Sequence, residues 1–249
     1  MPEGPEVRRE AKRLKRIIAN CRITMTAMQR EIPGLGESCS GFVNAVIVHG
    51  KNLFVRFTDL ETSAPRYIHC HMGMRGGWGN RGQYSRAALY YSHEHTDKPV
   101  PTTTKEVIYF NGVRFSRISV LSQAEYDEVI SKLGPDVKNL TRAQLETALS
   151  SLRGELGIAL HNQAVISGIG NYLRAEIMWH ARISPHRPCN SLSADELTRL
   201  YNSIVSTYRT AYEGGYQMQV YRRTIDGTGH PVCREPGSQT LWWSPQLQL

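Results

Sequence analysis

Val7, Ala11, Leu14, Ile17 and Ile18 recur at helical spacing and predict an amphipathic helix over residues 5–18. Its opposite face carries Arg8, Arg9, Lys12, Arg13, Lys15 and Arg16, a run that a solvated surface explains as well as phosphate contact does. From residue 22 to about 121 the pattern changes to short runs rich in Val, Ile, Tyr and Phe between turn residues. The runs at 41–48, 52–57, 67–72, 87–91, 106–110 and 113–121 predict an antiparallel β-sandwich or barrel. Asn111-Gly112, lying between two such runs, is a two-residue hairpin signal. The glycine-rich stretch 73–86, with Met74, Gly76, Gly77, Trp78, Gly79 and Gly82, predicts a mobile loop.

Beyond residue 121 the pattern is helical as far as Gly214, which places a linker at 122–134. Thr141 can cap a helix running to about Leu152, and Ser193-x-x-Glu196 is a capping box for a helix ending at Gly214-Gly215. Between them, Gly168 and Gly170 permit a sharp turn. Asn171 falls at the next helix start, where free amides and the helix dipole would attract phosphate. The expected class is therefore α+β, with a β-rich first half and a helical second half.

Charge narrows the partners. Lys and Arg outnumber Asp and Glu by 30 to 22, a net +8 over 249 residues, which favours a polyanion and nucleic acid first. No apolar run approaches the roughly 20 residues of a spanning helix, and the charged start lacks the core of a signal peptide. No membrane association is expected. Five scattered cysteines, none in a C-x-x-C pair, argue for a reducing, intracellular setting.

Candidate chemistry gathers at the amino terminus. Removal of Met1 before the small residue Pro2 would leave a secondary amine, and a terminal amine titrates near pH ~8, so roughly a tenth is neutral at pH 7. Such an amine can attack a sugar carbon and collapse to an iminium, with Glu3 next to it to move protons. The plain alternative is that Pro2 and Pro5 only open a helix. Lys51, in the turn His49-Gly50-Lys51-Asn52, is expected to stand out from the sheet. His69-x-His71 and His93-x-His95 have strand spacing suited to a metal pair, but no third ligand is identifiable.

Taken together, Pro2-Glu3-Gly4-Pro5-Glu6-Val7, the turn lysine Lys51, Gly134-Pro135-Asp136 and Gln163…Gly168-Ile169-Gly170-Asn171…Glu176…Pro185 resemble the formamidopyrimidine-DNA glycosylase and endonuclease VIII family over essentially the full chain. The resemblance implies an N-terminal β-sandwich catalytic domain over 1–121, a helix-two-turns-helix domain over 135–215 and a finger over 216–249, with damaged DNA gripped in the cleft between the two domains. It implies a monomeric, DNA-associated glycosylase and abasic-site lyase of base excision repair that needs no cofactor. By position, Pro2 resembles the nucleophile, Glu3 the acid/base and Glu6 its supporting carboxylate. Lys51 and Asn171, the latter with Gly170, resemble backbone clamps, while Met74, Arg114 and Phe115 resemble the residues that fill the space left by the everted base.

Two departures matter. The segment where relatives carry four zinc-binding cysteines offers only Cys233 and His230, with Asp226, Ser244 and Leu247 where ligands are expected, so it resembles a zincless finger. The finger-tip arginine of the family aligns with Gln239, leaving Arg223 or Arg234 as substitutes, and Val113-Arg114-Phe115 lacks the paired arginines common in the 8-oxoguanine branch. That tilts the expected substrate towards oxidised pyrimidines, hydantoins or single strands. The alternative is a non-catalytic binder of damaged or single-stranded DNA that retains the fold.

Overall fold

The computed structural model describes residues 2–28, 30–93, 106–237 and 240–248. They form two compact units, one holding Pro2 and Glu6–Ser131, the other Glu3–Pro5 and the described residues from Lys132 onward.

In the first unit, α1 (Gly4–Ile18) takes Pro5 into its first turn and buries Val7, Ala11, Leu14 and Ile18. Burying side chains the size of Val7, Leu14 and Ile18 contributes about 1.5–3 kcal/mol each, which outweighs the propensity of any single position. Part of the basic face is neutralised within the helix, since Arg9 pairs with Glu6 at 2.9 Å and Arg13 with Glu10 at 2.7 Å. Then come β1 (Cys21–Ala27), β2 (Ser38–His49), β3 (Asn52–Asp59), β4 (Pro65–His71), β5 (Gly77–Gly79), β6 (Ser85–His93), β7 (Glu106–Asn111) and β8 (Arg117–Ser122). They make one antiparallel sheet in the order β5-β7-β6-β1-β2-β3-β4-β8. Trp78 and Phe110 from one end and Ile118 and Val120 from the other join a single core beneath α1, so the sheet curls over on itself.

Three expectations change here. Asn111-Gly112 is no hairpin turn: β7 pairs with β5 and β6, β8 pairs with β4, and the residues between them cross from one end of the sheet to the other. The stretch 73–86 is anchored by β5 rather than being a free loop. The expected linker contains α2 (Gln123–Ser131), whose Tyr126 stacks on Tyr67 with ring centroids 4.0 Å apart. Glu125 accepts from the Ser122 N–H and hydroxyl at 2.8 Å, a capping interaction that the spacing Ser122-x-x-Glu125 could have revealed.

The second unit is helical: α3 (Arg142–Ser150), α4 (Leu156–His161), α5 (Asn171–Ala181) and α6 (Ala194–Glu213), followed by a hairpin of β9 (Cys233–Glu235) and β10 (Leu241–Trp243). Thr141 and the Ser193/Glu196 capping box open α3 and α6 as the sequence suggested, and the structure adds Gln144, which completes a second box with Thr141. The run Tyr172–Met178 of α5 is wholly buried, charged Arg174 and Glu176 included. Both Glu176 oxygens are used on the segment that follows α6, accepting from the N–H groups of Gln219, Val220 and Tyr221 at 2.8–3.0 Å and from the Tyr216 hydroxyl at 2.9 Å. Glu176 therefore does structural work, tying α5 to the root of the finger.

Candidate active site

Glu3 is buried, and its carboxylate is seated on the amino end of α5. The Gly170 N–H donates to Oε2 at 2.7 Å, the Tyr172 N–H to Oε1 at 3.0 Å and the Leu173 N–H to Oε2 at 3.2 Å. The backbone joins in, with Gly4 N–H donating to the Gly168 carbonyl at 2.9 Å. These donors suit an ionised carboxylate at the positive end of a helix. They also explain the glycines. A Cβ on Gly170 would overlap the Glu3 carboxyl, and Gly168 has φ +105°, a conformation that favours glycine. The expectation that these helix-start amides wait for a phosphate is thus corrected, because the chain's own carboxylate takes them.

Asn171 begins α5, and its Oδ1 accepts from Arg174 Nη2 at 3.0 Å. Arg174 is fully buried and also donates to the carbonyls of Gly157 at 2.9 Å and Thr240 at 3.0 Å. Burial lowers its pKa to about 10, the charges of Glu3 and Tyr221 opposing that shift, so it remains a cation at neutral pH. Nothing in the sequence pattern singled out Arg174; an arginine three residues after Asn171, set between apolar Leu173 and Ala175, was the available signal. The turn before α5 is braced by Gln163, which donates to the His161 and Ile169 carbonyls at 2.8 Å and accepts from Gly168 N–H at 2.9 Å.

In the first unit, Pro2 is half-buried and joined directly to Glu3. Glu6 pairs with Arg9 in the first turns of α1. Lys51 occupies the two-residue turn between β2 and β3, after Gly50 at φ +58°, but it is only 8% exposed and does not stand out from the sheet as expected. Burial, then the charges of Lys51 and Arg117, lower the pKa of His71. Its neighbour His69 falls to about 4 through burial and the charges of His71 and Arg117, stacks on Phe54 and hydrogen-bonds Asn52 Oδ1 at 2.9 Å. His93 ends β6, and His95 lies outside the described residues. Among the described residues no group of three or more His, Cys, Asp or Glu side chains is placed to hold a metal.

Met74, Arg114 and Phe115 do come together. The Met74 N–H donates to the Arg114 carbonyl at 3.1 Å, Met74 is 41% exposed and Phe115 72%.

In the finger, buried Asp226 accepts from Trp179 Nε1 at 3.0 Å and from the N–H groups of Thr228 at 2.8 Å and His230 at 3.0 Å. The Ser244 N–H donates to Gln248 Oε1 at 2.7 Å, and Gln248 Nε2 reaches the Ile183 carbonyl at 3.1 Å. Hydrogen bonds thus hold this segment at positions where zinc ligands were sought. Exposed Arg234 lies over the Trp242 ring, 5.8 Å from its centroid. Gln239 lies outside the described residues.

A carboxylate from the chain's start, locked onto the second helix of a glycine turn, defines a helix-two-turns-helix protein with an N-terminal antiparallel-sheet unit. The family model "Formamidopyrimidine-DNA glycosylase H2TH domain" matches residues 133–221. The formamidopyrimidine-DNA glycosylase of Erythrobacter litoralis is 26% identical over 94% of this chain and 86% of its own length. Endonuclease 8 of Escherichia coli is 26% identical over the whole of both chains. The MutM (Fpg) crystal structure from Thermus thermophilus superposes with TM-score 0.79 at 24% identity, covering 99% of this chain and 98% of that one. The Lactococcus lactis Fpg complex with oxidised-pyrimidine DNA gives 0.80 at 18%, covering 99% of both chains. Residues 133–221 thus match that family's helix-two-turns-helix domain, and over its length the chain is similar to formamidopyrimidine-DNA glycosylases and endonuclease VIII. Among the described residues no helix is long and apolar enough to cross a membrane.

Proposed function

We propose that this chain is a bifunctional DNA glycosylase and abasic-site lyase of base excision repair, acting on oxidised bases. The observation that carries the reading is the seat of Glu3: a buried carboxylate with three backbone donors, held rigidly one peptide bond after Pro2. Once Met1 is removed, the Pro2 nitrogen attacks C1′ of the damaged nucleoside and the base departs with a proton. Glu3 manages the proton transfers, and ring opening leaves an iminium between Pro2 and C1′. The iminium acidifies the C2′ proton. Its loss expels the 3′ phosphate by β-elimination, and a second elimination expels the 5′ phosphate.

Lys51 and the Asn171 amide hold the backbone around the lesion, Glu6 supports the proton chemistry, and Met74, Arg114 and Phe115 fill the stack behind the everted base. The finger is zincless and the enzyme works without a cofactor, as a monomer on damaged DNA. The net charge of +8 supports a polyanionic partner. Val113-Arg114-Phe115 favours oxidised pyrimidines and hydantoins over 8-oxoguanine.

Borohydride trapping on an abasic duplex tests the nucleophile. A covalent adduct is expected with the mature chain and not with Pro2→Gly or a preparation retaining Met1. Undiminished trapping in both would remove Pro2 from the chemistry. Glu3→Gln is expected to lose excision of an intact lesion while keeping some cleavage at a preformed abasic site.

A further inference from the structure

We infer that Arg86 is a positioning residue for base eversion, clasping both ends of the 112–116 loop so that Phe115 is presented ready-formed to the DNA. The inference rests on the proposed reading of Met74, Arg114 and Phe115 as the wedge. β7 ends at Asn111 and β8 begins at Arg117, and the five residues between them cross the sheet. Phe115 has φ +63° and is 72% exposed. An exposed phenylalanine in the left-handed region persists only where its surroundings over-determine it.

Arg86 supplies that constraint at the loop's two ends: Nε donates to the Gly112 carbonyl at 3.2 Å and Nη1 to the Ser116 carbonyl at 2.9 Å. The register of β6 against β7 shifts between Ser85 and Ala87, which makes Arg86 the extra residue of a bulge. Such an insertion re-aims one side chain out of the strand's alternation. Space is reserved for it as well, since a Cβ on Gly112 would lie 2.9 Å from Arg86 Nε and 2.6 Å from Ser116 Oγ. Further hydrogen bonds close the frame, from Gly112 N–H to the Tyr84 carbonyl at 2.9 Å and from Ser116 N–H to the Val113 carbonyl at 3.0 Å. On the other side Gly73 abuts the loop so closely that a Cβ there would lie 2.5 Å from the Phe115 carbonyl carbon.

A rigid wedge has little ordering entropy left to lose when it enters the stack. Lysine cannot replace the clasp, because one ammonium does not reproduce the planar fork that reaches two carbonyls.

The test is a cycle of Arg86→Lys, Phe115→Ala and the double variant, with excision measured on one lesion in duplex and in single-stranded DNA and eversion followed by 2-aminopurine beside the lesion. Arg86→Lys is expected to lower duplex excision and slow eversion by about tenfold, the range of a charged hydrogen bond, with single-strand excision changed little. It should add nothing in the Phe115→Ala background. Gly112→Ala, which keeps the arginine but crowds its seat, is expected to give the same pattern. Equal losses on both substrates, or a full further loss in the double variant, would make Arg86 a fold-supporting residue only and overturn the inference. If Phe115→Ala leaves duplex excision intact, the wedge itself is lost and this role with it, while borohydride trapping separately reports on the nucleophile.

Discussion

Asn171 Oδ1 accepts a 3.0 Å hydrogen bond from Arg174 Nη2. A guanidinium can only donate, so the asparagine must turn its oxygen inward and leave its NH2 group pointing away from the arginine. The same Nη2 holds the Thr240 carbonyl of the finger at 3.0 Å, so one buried cation sets both the amide and the base of the hairpin.

Asn171→Asp should therefore separate folding from binding. The carboxylate keeps the acceptor that Arg174 needs, so thermal stability should be unchanged or higher. The outward donor is replaced by a negative oxygen, and affinity for an abasic duplex should fall by roughly tenfold or more, the value of a charged hydrogen bond. Melting curves and binding isotherms on the same preparation check both halves; unchanged affinity would remove Asn171 from the DNA contact.

Gly170→Ala should unseat Glu3, whose carboxyl occupies the position of the added Cβ. Overpacking of this kind costs about 1–3 kcal/mol, and excision should be lost beyond what that destabilisation explains. Gly154→Ala, where a Cβ meets nothing within 4 Å, is the control and should behave as wild type. Full excision by Gly170→Ala at a temperature where it is folded would break the link between the Glu3 seat and activity.

His186 bridges the finger to the start of α4, with Nδ1 3.2 Å from Glu155 and Nε2 3.1 Å from Glu235. Burial pulls its pKa down, but hydrogen bonds and charge from the two glutamates outweigh it, and the net shift is upward. A raised folded value stabilises the fold fully below the unfolded value of about 6.5, and the contribution disappears as pH rises through the folded value. The group is partly exposed and the effect is modest. His186→Gln should lower the melting temperature more at about pH 5.5 than at about pH 8.5; the reverse order would contradict the bridge.

Asp226 holds the finger with hydrogen bonds where a metal ligand was sought. Burial opposes its ionisation, yet the Trp179, His230 and Thr228 donors hold its pKa below the usual carboxylate range. Asp226→Ala leaves buried donors without a partner and should cost about 3 kcal/mol, whereas a chelator should change neither stability nor activity. Metal analysis returning about one zinc per chain, with activity lost in chelator, would overturn the zincless assignment.

Gln239→Arg should tighten binding to an abasic duplex and steepen the dependence of log affinity on log salt by about one unit per new phosphate contact. An unchanged slope, alongside a large loss for Arg234→Ala, would place the finger's charge at Arg234 instead.

What could be read from the chain alone was whatever depends on neighbours three or four residues apart. The apolar stripe Val7, Ala11, Leu14, Ile18 specified α1, and the cap Thr141 and the box Ser193/Glu196 specified the starts of α3 and α6, because these contacts close within one turn. The motif Pro2-Glu3 with Gly168-Ile169-Gly170-Asn171 marked the candidate chemistry, though not its geometry. Tertiary structure decided the rest. Asn111-Gly112 has the composition of a hairpin turn, but strand order is a global choice that sent β8 to the far end of the sheet. Lys51 looked like an exposed turn lysine because burial depends on what folds over it. Glu3 lies more than 160 residues from Gly170, and no local pattern could show that its carboxylate, rather than a phosphate, fills the donors at the start of α5.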